Sequence, residues 1–506
     1  MRRVGLVAMA AVVVVTAGCG STIRGSGAAG AVGSDGLGIL PGQAAGATPG
    51  SSTATGDLTG SVPASSTSGP PAATSAAAGI DSGSGGGQTG TTVPKGVTAK
   101  TISIGFIYTT GRQQAAAALG AAGVTSGDEL AQWKLLVSEV NRTGGLGGRT
   151  ITPVFYGQSS NSTQTIATSE QAACTKFTQD YHVSAAVSSF EYTSTFMTCM
   201  EKKGIPTFYS LETLNDSVEL ANSPHHFEAA NLALDRQGVV LGNDLADQGY
   251  FKGTAPAVNG IITYDLPTYV RAANALVATL KARGVVVKDV RKIPFANTSS
   301  DTGRIASSIS SAELTFASEG INHVMIFDLN GLLSLLFMTN AQSQGYHPRY
   351  GVTSQSSGSH LADLLKGNAN PQLKDAMGVG WLPILDLKAD DYPATKSSAE
   401  RQRCRNIMLK GGQSQGLSSV GAELVALGQC DDIFMLQKGF GNVAGAVTGN
   451  AIKAGLERLA STFKPAGTFT TTLSSRRHDG VASIRAMSYL TTCTCFRYTS
   501  GLTSVS

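Results

Sequence analysis

Apolar positions along this chain recur with two periods that alternate. Thr101-Ile102-Ser103-Ile104-Gly105-Phe106-Ile107-Tyr108 is a β-branched run of strand character. From Gly127 to Val140, the residues Leu130, Trp133, Leu136, Val137 and Val140 repeat at helical spacing. Asn141-Arg142-Thr143-Gly144-Gly145 ends that helix, with glycine available for a left-handed cap. The pattern then reads strand over Arg149–Phe155, helix over Glu170–Asp180, buried strand over Val183–Val187, helix over Phe196–Lys203 and strand over Ile205–Tyr209. It restarts with strand Ala257–Tyr264, helix Tyr269–Arg283, strand Val285–Ile293, helix Gly303–Ser318, strand His323–Phe327 and helix Leu332–Gln344. Strands alternating with helices predict parallel sheets covered on both faces. Two such runs predict two lobes of α/β class. From about Val379 the chain returns to helices at Ala422–Phe440 and Ala451–Leu459, while Asp386–Gly416 is polar and carries no clear period.

The first hundred residues differ in kind. Arg2 and Arg3 precede an apolar run from Val4 to Val15, then Thr16-Ala17-Gly18 and Cys19. That run is short for a membrane span, so residues 1–18 are expected to be a signal peptide. Cys19 resembles the lipidated cysteine of a bacterial lipobox, with Thr16 where that motif favours Leu. The resemblance implies acyl chains on Cys19 and a membrane anchor. Residues 19–97 are mostly Gly, Ser, Ala, Thr and Pro. They carry too little apolar surface to offset ordering entropy and read as a disordered linker, leaving residues 98–506 as the folded module. Lobe 1 is expected near 98–255 plus part of 379–470, and lobe 2 near 256–378 plus C-terminal segments.

Setting Cys19 apart leaves Cys174, Cys199, Cys404, Cys430, Cys493 and Cys495. An even number in an exported chain permits disulfides. The expected pairs are Cys174–Cys199 and Cys404–Cys430, with Cys493 and Cys495 either closing on each other under strain or staying reduced. No C-x₂-C or H-x₃-H pair offers a metal site, and no cofactor is expected. The formal charge of +4 is small and dispersed, and aromatics are sparse, which argues against nucleic acid as a partner.

Asn141-Arg142-Thr143-Gly144-Gly145-Leu146-Gly147-Gly148-Arg149-Thr150-Ile151 resembles the N-x-x-G-G-I-x-G-R-x-I signature of type I periplasmic binding proteins of the leucine/isoleucine/valine-binding family. Gly204-Ile205-Pro206 resembles that family's entry to the fourth strand. Asp301 resembles its D-[FYT]-[ST] position, and Cys430-Asp431-Asp432-Ile433 its Y-D-A helix start, with cysteine replacing tyrosine. The resemblance spans roughly residues 98–470 and implies two Rossmann-like lobes joined by a hinge. These glycines follow a helix and precede a strand, the reverse of a dinucleotide loop. No G-x-x-x-x-G-K-[ST], H-E-x-x-H or G-x-S-x-G occurs, so no enzyme chemistry is expected.

In open parallel sheets ligands sit beyond the carboxyl ends of the strands. The loops there offer Tyr108, Thr109, Ser189, Asn330 and Gln355 as ligand-binding candidates. The family resemblance adds Thr193 and Ser194 after the third strand, Leu211 and Thr213 after the fourth, and Tyr269 in the second lobe, although Val270 stands where a glycine is usual. The family's acid for a ligand ammonium has no counterpart in Thr298-Ser299-Ser300. The expected function is capture of a small polar solute in an interlobe cleft: a branched-chain amino acid, an amide, a short carboxylate or a nucleoside-like compound. The resemblance implies an ABC transporter permease as partner and a place on the outer face of the cytoplasmic membrane or in the cell envelope. A ligand sensor using the same cleft is the alternative, and a cell-envelope enzyme the alternative of another class.

Overall fold

The computed structural model describes residues 95–114, 126–160, 162, 164–189, 193–210, 213–253, 255–296, 301–329, 331–365, 370–388, 391–392 and 397–505. The expected signal peptide, Cys19, nearly all of the linker, Leu211, Asn330 and Thr298-Ser299-Ser300 lie outside the described residues.

The first sheet is wholly parallel, in the order β2-β1-β3-β4-β5: β1 (Thr101–Thr110), β2 (Thr150–Ser159), β3 (Ala185–Ser188), β4 (Thr207–Phe208) and β5 (His226–Phe227). Helix α1 (Glu129–Arg142) covers it with Trp133, Leu136, Val137 and Val140, all buried. The Trp133 ring lies 5.2 Å from Phe106 on β1, and its indole N–H donates to the Ile107 carbonyl at 3.2 Å. The pairing satisfies the one polar atom that an indole brings into a core. Helices α2 (Ile166–Thr175), α3 (Ser194–Glu201) and α4 (Ser217–Asn222) connect the later strands.

The glycine motif is a tight turn from α1 into β2. Gly144, Gly145, Gly147 and Gly148 all have positive φ, and a Cβ on Gly145 would overlap the Arg149 carbonyl. The Asn141 side chain clamps the turn, accepting from Ile151 N at 2.7 Å and donating to Ile151 O at 3.2 Å. These residue types are therefore explained by backbone geometry.

The second sheet runs β12-β11-β10-β9-β8-β6-β7. Strands β6 (Asn259–Tyr264), β7 (Val287–Ile293), β8 (His323–Ile326), β9 (Arg349–Thr353) and β10 (Met377–Gly380) are parallel. An antiparallel margin of β11 (Ser483–Leu490), β12 (Cys495–Tyr498) and β13 (Thr503–Ser504) completes it. Its helices are α5 (Leu234–Asp247), α6 (Pro267–Ala282), α7 (Thr302–Ser318), α8 (Leu332–Ser343) and α9 (Gly358–Leu364).

Helix α5 packs on α6 and on β9 and β10, so it belongs to the second lobe, although the boundary expected near residue 255 puts it in the first. The physical reason is a close helix crossing. A Cβ on Gly238 would overlap the Ala272 carbonyl, and one on Gly242 would sit 2.9 Å from the Thr279 methyl.

The chain crosses between the lobes three times. It leaves the first sheet after β5, returns after β10 through α10 (Pro383–Asp386) to α11 (Ala399–Lys410) and α12 (Val420–Phe440), and leaves again after α13 (Gly449–Glu457). Helix α11 lies within Asp386–Gly416 and packs on α1 and α12. The first and third crossings run side by side: Glu228 N donates to His478 O at 2.9 Å, Gly480 N to Glu228 O at 2.7 Å and Val481 N to Asn231 O at 3.1 Å. Thr468 Oγ1 ties the third crossing to the second by donating to Trp381 O at 2.7 Å.

Disulfides join Cys174 to Cys199, Cys404 to Cys430, and Cys493 to Cys495. The third closes across the β11–β12 turn, where Thr494 has a φ of 49°. Among the described residues no group of His, Cys, Asp or Glu is placed to hold a metal ion, and no helix is long and apolar enough to cross a membrane.

Candidate functional site

The carboxyl ends of β1, β3 and β4 form the first wall of the site. Thr109 ends β1, and its N–H donates to the Glu129 carboxylate at 2.8 Å. Arg112 follows at once. Its guanidinium donates to Glu129 at 3.1 Å, to the Thr109 hydroxyl at 2.9 Å and to the Ser189 carbonyl at 3.3 Å. Ser189 follows the last residue of β3, and its hydroxyl accepts from Gln429 of α12 at 2.7 Å. A cation therefore stands between two of the expected ligand loops. Arg112 escaped the sequence reading because only the fold brings residue 112 beside residue 189.

Tyr108 is half-buried and lies over Gly157 of β2. Ser194 begins α3, with Thr193 as its cap. There the helix N-terminus is already occupied by an internal anion. Thr193 N donates to the Glu170 carboxylate at 2.7 Å, Phe196 N at 3.1 Å, and the Thr193 hydroxyl also donates to it. Burial pushes the Glu170 carboxyl up to about 7 against the pull of these donors. The group expected to receive a ligand carboxylate thus holds the protein's own.

Thr213 donates to Glu228 at 2.9 Å, beside Asn215 Nδ2 at 2.7 Å, within the first crossing. Two neighbouring acids of α12 fasten the crossings. Asp432 accepts from the Ser210 hydroxyl, which in turn accepts from Ala229 N at 2.9 Å. Asp431 accepts from Ala466 N at 2.6 Å and Gly467 N at 2.9 Å. Burial raises both carboxyls, Asp431 to about 7. Asp431 and Asp432 lie in the middle of a 21-residue helix, away from any helix start.

The second wall is built at the ends of β8, β9 and β10. Asp328 caps α8 by accepting from Leu333 N at 3.0 Å and Ser334 N at 2.7 Å, and burial pushes it to about 6. Tyr269 is fully buried behind this cap: its hydroxyl donates to the Asp328 carbonyl at 3.2 Å, and its ring edge meets Tyr264. After β9 the chain turns through Ser354-Gln355-Ser356 into Ser357, whose φ is 53°. Among the described residues, both polar atoms of the Gln355 amide are buried without a hydrogen-bond partner, as are the Ser357 and Ser359 hydroxyls and both ring nitrogens of His360. Burial lowers His360 to about 4. Folded proteins pair nearly all such groups, so a cluster of them marks a place for a polar guest. Trp381, after β10, has its indole nitrogen in the same condition. Helix α10 links the walls, packing against the Ser354–Ser356 turn on one side and α12 on the other.

Thr109, Ser189 and Gln355 thus lie at strand ends, Thr193 and Thr213 are committed to internal carboxylates, and Tyr269 sits inside the second lobe. His360 and Trp381 join the candidates. Neither belongs to a sequence motif that would mark it as a ligand contact.

A scan against family models and a search of curated sequences return no match. Solved structures are similar. An ABC transporter substrate-binding protein from Desulfitobacterium hafniense in complex with Leu matches with a TM-score of 0.53 at 13% identity, over 79% of this chain and 100% of that one. A solute-binding protein from Rhodopseudomonas palustris BisB5 with 3,4-dihydroxybenzoic acid gives 0.56 at 13% identity, over 80% and 97%. A branched-chain amino acid ABC transporter protein from Thermus thermophilus with bound valine gives 0.56 at 13% identity, over 80% and 97%. The likeness shows the fold.

Proposed function

We propose that this chain, which has the type I periplasmic binding protein fold, is an extracytoplasmic solute-binding protein that captures a small carboxylate-bearing metabolite between its lobes and delivers it to an ABC importer. The observation that carries this reading is the unpartnered polar cluster at the end of β9, led by Gln355. Buried donors and acceptors left unpaired are costly in the free protein and are repaid when a ligand supplies the partners. Arg112 at the opposite wall, ion-paired with Glu129 at 3.1 Å, keeps its guanidinium beside Thr109 and Ser189, a neighbourhood that suits an acid. The leucine, valine and dihydroxybenzoic acid bound by the three similar structures all carry a carboxylate. Because Glu170 fills the N-terminus of α3, the ligand acid is read on the Arg112 side in preference to the Thr193 loop.

The test is a thermal-shift screen of small amino acids and aromatic acids, in which a ligand at 100 times its dissociation constant adds about 2.7 kcal/mol of stability. Gln355→Leu should then act in opposite directions on stability and binding. It removes two buried unpaired groups and so raises the Tm of the free protein, while weakening the ligand about tenfold or more. Unchanged affinity in Gln355→Leu would remove this cluster from the site. Anchoring rests on Cys19: Cys19→Ala should move the chain from the membrane to the soluble fraction, and retention after carbonate washing would exclude the lipid.

A further inference from the structure

A cavity lies beside the first and third crossings, and none of the residues named in the two walls lines it. Its volume is about 480 Å³, and it is lined by Ser217, Leu220 and Ala221 of α4, by Pro224 just after it, by Arg236 in the first turn of α5, and by the turn Ser475-Arg476-Arg477-His478-Asp479 of the third crossing. Elements of both lobes and of the hinge therefore meet in it.

Its charge is out of balance. Three guanidinium groups face one carboxylate, Asp479, and that carboxylate is already committed. Arg236 is ion-paired with it, Ala233 N donates to it at 2.8 Å, and Arg477 Nε stands 3.8 Å away. The other nitrogens of Arg477 donate to the carbonyls of Val505 and Val481, while its Nε is buried with no hydrogen-bond partner among the described residues. Arg476 is exposed at the rim, and its guanidinium has no partner among the described residues. His478 is stacked on Phe227 at 4.1 Å and lies 3.2 Å from Glu457, so its ring is held in place. The Ser217 side chain donates to Asp235 at 3.0 Å, which keeps that acid turned to the α4 cap.

A cavity of this size whose lining carries three guanidinium groups to one carboxylate, with the exposed Arg476 at its rim, has the chemistry of a polyanion site, since guanidinium pairs with phosphate and carboxylate oxygens in a planar fork. We propose that this cavity binds a small multivalent anion, a diphosphate or a tricarboxylate in class, between Arg476, Arg477 and Arg236. The site is separate from the solute cleft. Because its lining comes from α4 on one lobe and α5 on the other, anion binding is coupled to lobe movement, and the coupling is reciprocal between the two ligands.

The test uses the full folded module and two probes, inorganic pyrophosphate and citrate, followed by isothermal titration at low ionic strength. The expected result is saturable binding of at least one probe. Arg476→Glu, a change at an exposed side chain, should weaken it tenfold or more, while Arg142→Glu on the far end of α1 leaves it unchanged. Failure of both probes to bind at millimolar concentration overturns the proposal, as does undiminished binding in Arg476→Glu. A third arm offers phosphatidylglycerol vesicles. Vesicle binding lost in Arg476→Glu, without pyrophosphate or citrate binding in solution, would assign the cavity to a lipid headgroup and overturn the soluble anion. Solute binding in the cleft, measured in the same variant, keeps this outcome distinct from any failure of the solute-binding reading.

Discussion

Replacing Cys404 and Cys430 together with alanine lowers the unfolding free energy by about 3 kcal/mol or more. The bridge joins α11 to α12 across a sequence separation of 26, and both cysteines are fully buried. Cross-linking a loop of that length removes chain entropy from the unfolded state. The loop-entropy relation puts the effect between about 3 and 4 kcal/mol. The other ties of α11 to α12 are largely polar: Arg401 and Arg405 pair with Glu423, and Arg403 lies over the Phe434 ring. The mean surface of α11 is polar, its buried residues are Arg401, Cys404 and Met408, and Arg401 reaches Glu423 of α12 at 2.6 Å. Both helices flank the first wall of the cleft, so the loss should reach ligand binding as well as stability. Denaturant titration of the oxidised double variant checks this. A midpoint equal to that of the parent would show that α11 is held by packing alone.

The protein should be more stable in mild acid than above neutrality, with Glu170 contributing a large share of the difference. Its carboxyl is pushed up from the ordinary range to about 7 by burial. A group with a raised folded pKa leaves stability intact below its unfolded value and removes it as the pH rises through the folded value. From about pH 4 to about pH 8 this one carboxyl withdraws on the order of 3 kcal/mol. Glu170→Gln cannot ionise, so its melting temperature should fall much less over that range than the parent's. Asp328, Asp386 and Asp431 are also raised by burial, to about 6, about 7 and about 7, so the variant keeps part of the slope. Parallel melting curves for variant and parent across the range would contradict this account of Glu170.

How far the chain could be read in advance depended on whether a residue's partner was near it in sequence. Strand β1 and helix α1 were legible because Phe106, Trp133, Leu136 and Val140 carry a local period. The glycine turn was legible because Gly144 to Gly148 need positive φ whatever surrounds them. Helix α5 was missed because Gly238 and Gly242, poor helix formers, are there for a close crossing with α6. Helix α11 was missed for the opposite reason: it is polar on nearly every face, and a disulfide with an ion pair does what an apolar stripe does elsewhere. No element is read from the sequence over the antiparallel strands β11 and β12, since β11 pairs with β10, about a hundred residues earlier, and β12 pairs with β11.

The site followed the same rule. Strand ends located Thr109, Ser189 and Gln355. The internal carboxylates that occupy Thr193 and Thr213 are supplied by Glu170 and Glu228. Neither pairing has a signature in sequence, because Glu170 lies 23 residues from Thr193 and Glu228 lies 15 residues from Thr213, and only the fold brings each pair together. Arg112, His360 and Trp381 acquire meaning only from their surroundings. A basic residue after a strand and a histidine in a Ser-rich turn are common features of loops.

The central claim is that two lobes joined by three crossings close upon a small acid. The direct measurement is small-angle X-ray scattering on the module with and without a carboxylate identified in the thermal-shift screen. Ligand that touches both walls is bound fully only when they approach, so it shifts the population toward the closed form. The account predicts a smaller radius of gyration at saturating ligand, with the decrease following the same concentration dependence as binding. A saturated complex whose radius of gyration equals that of the free module would contradict it.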